Sequence, residues 1–247
     1  MTLAGLVSLP VARATFRERA LGLLPVAFTV LAALGAFSNI AQKGHGGSTF
    51  EGFTRLFVMV LTMVLGAGLI ADEVESGHAQ LVMLRPITRA EWFGGRFVGA
   101  GLVLLASLAI TWLAGLAGFA RSGRPDVNWA LSYWLMAIDA LGWLAVLAAL
   151  SVVLRRSQNI GLLIVVALGY FFASVTLPLV LGKVTLLEQM RAAGKYLGPM
   201  DLADLIKVPA GGSRDWAPLF YDLFWLFGAW LVGVVLFNQR ELAKRRS

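Results

Sequence analysis

Residues 70–91 read IADEVESGHAQLVMLRPITRAE, a charged segment between two long apolar runs, and its reading decides the fold. Asp72, Glu73 and Glu75 close the first run, and Gly77 frees the backbone to turn. Arg85 and Pro86 interrupt the short apolar piece that follows. Thr88 and Glu91 have the spacing of a capping box, in which the Thr88 hydroxyl accepts from the amide of residue 91 and the Glu91 carboxylate accepts from the amide of residue 88. A helix is therefore predicted to restart here and run on into the second apolar stretch. Nowhere else does the chain place so much charge and turn chemistry between two segments of membrane length.

On both sides the chain is apolar. Of its 247 residues 58% are hydrophobic and 14% charged, whereas an ordinary soluble domain is about a quarter charged. A spanning helix needs about 20 mostly apolar residues. Such runs recur at about 20–38, 54–74, 89–120, 129–154, 157–181 and 218–237. The expected fold is all-α, a polytopic membrane protein of six transmembrane helices forming one domain over residues 1–247. The third run is too long for the hydrocarbon alone and should tilt or project into the cytoplasm. Residues 10–19 have Arg13 and Arg17 four apart on one helical face. Two readings stand side by side for them, an N-terminal interfacial helix on the cytoplasmic leaflet and a short solvated lead-in. Residues 39–53 are rich in glycine and read as a loop, and residues 182–217 as a polar insertion in which Thr185 and Glu188 form a second capping box.

The net charge of +7 sits at the ends of apolar runs rather than on one polar face. Bilayer topology and anionic headgroups account for it, and nucleic acid is not an expected partner. The absence of cysteine excludes disulfides and thiolate metal sites. His45 and His78, the only histidines, fall on opposite sides of the membrane, which disfavours a two-histidine metal site. Arg13, Arg17 and Arg19 follow the mildly apolar start instead of preceding it, unlike a cleaved signal. With both termini cytoplasmic, the inner segments hold Arg13, Arg17, Arg19, Arg85, Arg89, Arg96, Arg155, Arg156, Arg240, Lys244, Arg245 and Arg246. The two short outer connections hold only Lys43, Arg55, Arg121 and Arg124. That is the sense the positive-inside rule requires, although the 182–217 insertion, with five basic and four acidic residues, opposes it. Residues 72–91 are thereby placed in the cytoplasm.

The run Glu73-Val-Glu75-Ser-Gly77, followed by Arg85-Pro86-Ile-Thr-Arg89 and Gly95-Arg96, resembles the permease subunits of ABC-2-type transporters. In that family the second span ends in an E-x-E-x-G-T turn, then come a proline–arginine segment and a glycine–lysine opening the third span. Here His78 stands for the threonine and Arg96 for the lysine. The nitrous-oxide-reductase-maturation and gliding-motility permeases have this size and layout. The resemblance implies a half-transporter that pairs with a second permease copy and docks two copies of a separate ATP-binding subunit, which carries the ATP and magnesium. It implies that 72–91 forms the cytoplasmic coupling helix, with Glu73, Glu75, Gly77, Arg85, Pro86 and Arg89 as coupling residues. It also implies short outer helices at 182–217 and residence in the cell's inner (cytoplasmic) membrane. No cofactor is expected in the chain itself, which lacks the Gly-x-x-x-x-Gly-Lys-Ser/Thr phosphate loop. Solvated interfacial charge that only sets topology is the plainer reading of these side chains.

Asp139 lies about mid-bilayer in the fourth span, where an ionisable group is costly and functional by default. It is a candidate for the translocation path, or a carboxyl hydrogen-bonded to Thr111 or Ser107. Tyr221 and Asp222 read as outer-interface residues. Gly95-x-x-x-Gly99 and Gly66-x-Gly68 allow close helix packing, within one subunit or between two. Trp92, Trp129, Trp134, Trp216 and Trp225 read as an aromatic belt. The leading expectation is a permease subunit of an ATP-driven exporter and not an enzyme. A gradient-driven carrier using Asp139 and a membrane-embedded enzyme are its rivals, and the second lacks the intraspan histidines a zinc peptidase needs.

Overall fold

Inside lipid every backbone N–H and C=O must find a partner within the protein, which leaves helix as the one solution for an isolated apolar run. A computed structural model describes residues 6–43, 48–82, 84, 86–123, 127–171 and 216–240, and no strand occurs among them. The helices are α1 (Leu9–Ala20), α2 (Leu23–Lys43), α3 (Ser48–Gly66), α4 (Ala71–Glu75), α5 (His78–Val82), α6 (Arg89–Ser122), α7 (Val127–Val153), α8 (Arg156–Phe171) and α9 (Ala217–Gln239). Five described stretches are long and apolar enough to cross a membrane: Leu23–Ala41, Leu56–Glu75, Arg89–Ser122, Tyr133–Val153 and Ala217–Gln239. α8 covers the start of the expected fifth span. The rest of that span, and the expected outer helices with the Thr185 capping box, lie outside the described residues.

Of residues 39–53, which their composition suggested as a loop, those described are helical. α2 continues to Lys43 and α3 begins at Ser48. The polar side chains at the end of α2 bond along the helix instead of breaking it, Ser38 Oγ and Asn39 Nδ2 both donating to the Gly35 carbonyl at 3.3 Å.

α6 is the centre of the bundle, packing against α1, α2, α7 and α9, with α3 and α9 flanking α7. The predicted capping box starts it: the Thr88 amide donates to Glu91 Oε2 at 2.8 Å, and the Glu91 amide to Thr88 Oγ1 at 3.2 Å. Its 34 residues span about 50 Å at 1.5 Å per residue, against about 30 Å of hydrocarbon. A helix of that length must tilt or project past the apolar layer, and α1 packs on its first turns. Leu61, Leu65, Leu104, Leu108 and Leu144 form the interior, while Leu34, Val165, Phe224 and Phe227 point outward as a lipid-facing surface. Trp92 departs from the aromatic-belt expectation. It is buried, stacked 5.2 Å from the Phe237 ring, because α6 presents that face to the end of α9. Asp222, in the second turn of α9, is fully buried against the bundle.

Candidate functional site

The second span does not run unbroken into the charged segment. After Gly66 the helical ladder slips: the Leu69 amide reaches back only to Gly66, at 3.2 Å, and the Ile70 amide donates to Ser151 Oγ on α7 at 3.3 Å. The Ala67 carbonyl accepts from Asn159 Nδ2 at 3.1 Å, and the same amide group donates to the Leu147 carbonyl at 3.0 Å. Ser151 and Asn159 are fully buried. A break at this depth is tolerated because neighbouring side chains take up the freed backbone groups. Gly66 lets α7 approach, since a Cβ there would stand 2.8 Å from that of Leu147.

Beyond the break α4 carries three acids, and successive residues point about 100° apart. Glu73 turns inward and meets the Arg96 guanidinium of α6 directly. Arg96 also donates to Glu18 Oε2 of α1 at 2.7 Å and to Thr15 Oγ1 at 3.1 Å, and it lies 5.8 Å from the Trp92 ring centre. His78 Nδ1 is 3.3 Å from Glu73 Oε2. The side chains of Arg96 and Glu73 are 6% and 11% exposed. A cation so buried is tolerated only when paired, and here two carboxylates from two other helices pair it. The other two acids are less buried: Asp72, partly exposed, lies between Arg19 (4.0 Å) and Arg156 (3.6 Å), and Glu75, exposed, lies 3.3 Å from Arg155. Exposed pairs contribute at most about 1 kcal/mol each, so the Glu73–Arg96 contact dominates the junction.

α1 reaches this junction across a floor of small residues. A Cβ at Gly95 would lie 2.8 Å from the Ser8 carbonyl oxygen, and one at Gly99 2.6 Å from that of Ala12. The Gly95–Gly99 pair therefore packs within the subunit. Gly77, at φ +77°, makes the left-handed turn from α4 to α5. α5 and the turn after it present Leu81 and Leu84, 67% and 83% exposed, beyond the end of the bundle.

The expected coupling residues thus separate. Glu75, Gly77 and Pro86 lie on the outer side of the junction, and Glu73 on its inner side. Arg89 turns away from both, donating to the carbonyls of Asn238 (2.9 Å) and Arg240 (2.8 Å) at the end of α9, while Arg240 donates to the Val152 carbonyl at the end of α7. Cations there complement the helix dipoles. Arg85 lies outside the described residues. Asp139 is half-buried midway along α7, about 18 Å from Ser151 by helical rise, and takes no part in the junction. The Thr111 hydroxyl donates to the Ser107 carbonyl at 3.0 Å.

Sequence reasoning passed over Glu18, Ser151, Asn159 and the leucines of the α5 turn. Glu18 had a signal, as the single acid among Arg13, Arg17 and Arg19. A polar residue opening an apolar run is too common for Asn159 to have stood out.

The profile of the family described as ABC-2 family transporter protein matches residues 4–242. The chain is also 27% identical, over 269 residues, to a protein of Stutzerimonas stutzeri named probable ABC transporter permease protein NosY, with 93% of this chain and 94% of that protein covered.

Proposed function

Because this chain belongs to the ABC-2 transporter family, as a multi-pass permease, we propose that it is the membrane-spanning half of an ATP-driven exporter in the inner membrane. Two copies pair, two separate ATP-binding subunits dock beneath them, and both termini lie in the cytoplasm. One observation carries the reading. The junction after span two is locked on its inner side to α1 and α6 by Glu73, Arg96 and Glu18, and on its outer side it offers Leu81 and Leu84, both exposed among the described residues. Exposed leucines beyond the lipid-facing belt suit a protein partner. A push on α5 passes through Gly77 to α4, and the ion pairs oblige α1 and α6 to follow. The slipped ladder at residues 67–70 lets the end of span two swing without unwinding the rest.

The test is recovery of the ATP-binding subunit with a tagged permease from its own host. Leu81→Asp/Leu84→Asp should cut recovery of a phosphate-loop ATPase about ten-fold or more while leaving the amount of permease in the membrane unchanged. Undiminished recovery would remove α5 as the docking surface. Failure of any such ATPase to accompany the unaltered chain, together with transport that runs without ATP, would remove the whole reading.

A further inference from the structure

α1 has a second face, turned away from the junction. Leu9, Arg13, Arg17 and Leu21 are spaced four apart, so they form one row along the helix and its end. Leu9 and Leu21 are 69% and 83% exposed, and both arginines are exposed. The remaining charges of α1 are already matched. The Glu18 carboxylate is held by Arg96 at 2.7 Å and lies 3.8 Å from Arg19, which also approaches Asp72. Arg13 and Arg17 make no ion pair with any described residue. The row therefore carries two uncompensated cations, and the nearby glutamate does not cancel them.

Position identifies what meets that charge. α1 ends at Ala20 and the spanning helix α2 begins at Leu23, so the Arg17–Leu21 end of the row lies within a few residues of the start of the span. Leu23 and Leu24, 82% and 48% exposed, continue its apolar end directly onto the lipid-facing side of α2. A protein covering the Leu21 end of the row would meet that lipid-facing surface as well. A guanidinium presents paired N–H donors that match phosphate oxygens, and leucines at either end of such a row settle among acyl chains.

We propose that the Leu9–Arg13–Arg17–Leu21 row of α1 is a binding site for the headgroups of anionic phospholipids. The site needs only that the bundle is embedded in a membrane, so it stands or falls separately from ATP coupling.

The chain has no cysteine, so Ala14→Cys, exposed between the two arginines, gives a unique attachment point for a bimane fluorophore. The labelled protein is placed in nanodiscs containing acyl-brominated phosphatidylglycerol or acyl-brominated phosphatidylcholine at the same mole fraction. The brominated phosphatidylglycerol should quench more, with a local preference on the order of five-fold per arginine at low salt, and the preference should fade as salt is raised. Adding Arg13→Gln and Arg17→Gln should make the two lipids quench equally. Equal quenching in the protein that keeps both arginines would overturn the site. So would strong quenching by aqueous iodide with none from either lipid, which would put the row in water or against a protein. The salt dependence is read on the arginine-bearing protein, so the outcome does not hang on the folding of the glutamine variant.

Discussion

Arg96 is the eighth residue of a helix built to lie in lipid, and its guanidinium is held from water by carboxylates belonging to two other helices. Removing it leaves Glu73 buried with only His78 beside it. Arg96→Met is therefore expected to cost about 3 kcal/mol, seen as a lower midpoint of thermal unfolding in detergent. Arg96→Met/Glu73→Met should recover most of that loss, because no unpaired charge remains. A single variant costing less than about 1 kcal/mol would mean that water reaches the pair. The sequence offers no way to rank Glu73 above Glu75. They are the same residue type, two positions apart, and only the direction in which α4 faces α6 makes one a buried partner and the other a surface charge. His78, unusual for the family pattern, stands against the buried one.

Among the elements, α1 depends most on contacts distant in sequence. It is a 12-residue helix, short enough to be marginal alone, and it is held by the Gly94, Gly95 and Gly99 surface of α6 and by the Ser8 amide donating to the Glu91 carbonyl at 3.0 Å. Gly99→Ala would drive a methyl against the Ala12 carbonyl, where backbone rather than a flexible side chain must move. Overpacking of that kind costs about 1–3 kcal/mol. Tryptic cleavage after Arg13 and Arg17 should then quicken several-fold, whereas Gly161→Ala, with open space around it, should leave it unchanged. Equal cleavage in both variants would show that α1 does not rest on α6. A glycine pair four apart announces close packing in any sequence, but which helix comes close is a matter of the fold.

At the scale of the whole molecule the arrangement of charge predicts a side for each end. In a chain without cysteine, Ser76→Cys should react with a membrane-impermeant maleimide only in inside-out vesicles, and Arg121→Cys at the far end of α6 only in right-side-out ones. The reverse pattern would invert the topology and place the α5 turn where no cytoplasmic partner could reach it. The all-helical class, five of the six apolar spans, the restart of helix at Thr88 and the turn at Gly77 were legible in the sequence. Each depends on neighbours within one or two turns, or on the length of an apolar run, and such relations are written along the chain. Composition misled where polar side chains bond to their own helix, as at Ser38 and Asn39, and where a tryptophan at a span's start packs inward, as Trp92 does. Tertiary structure alone decided that Glu18 would meet Arg96, 78 positions away, that Asn159 would take up the carbonyl of Ala67 across 92, and that Arg89 would close the end of α9. Whether a charge is buried and matched depends on which helices lie beside it, and that is set by the packing of the bundle rather than by the residue's own neighbours.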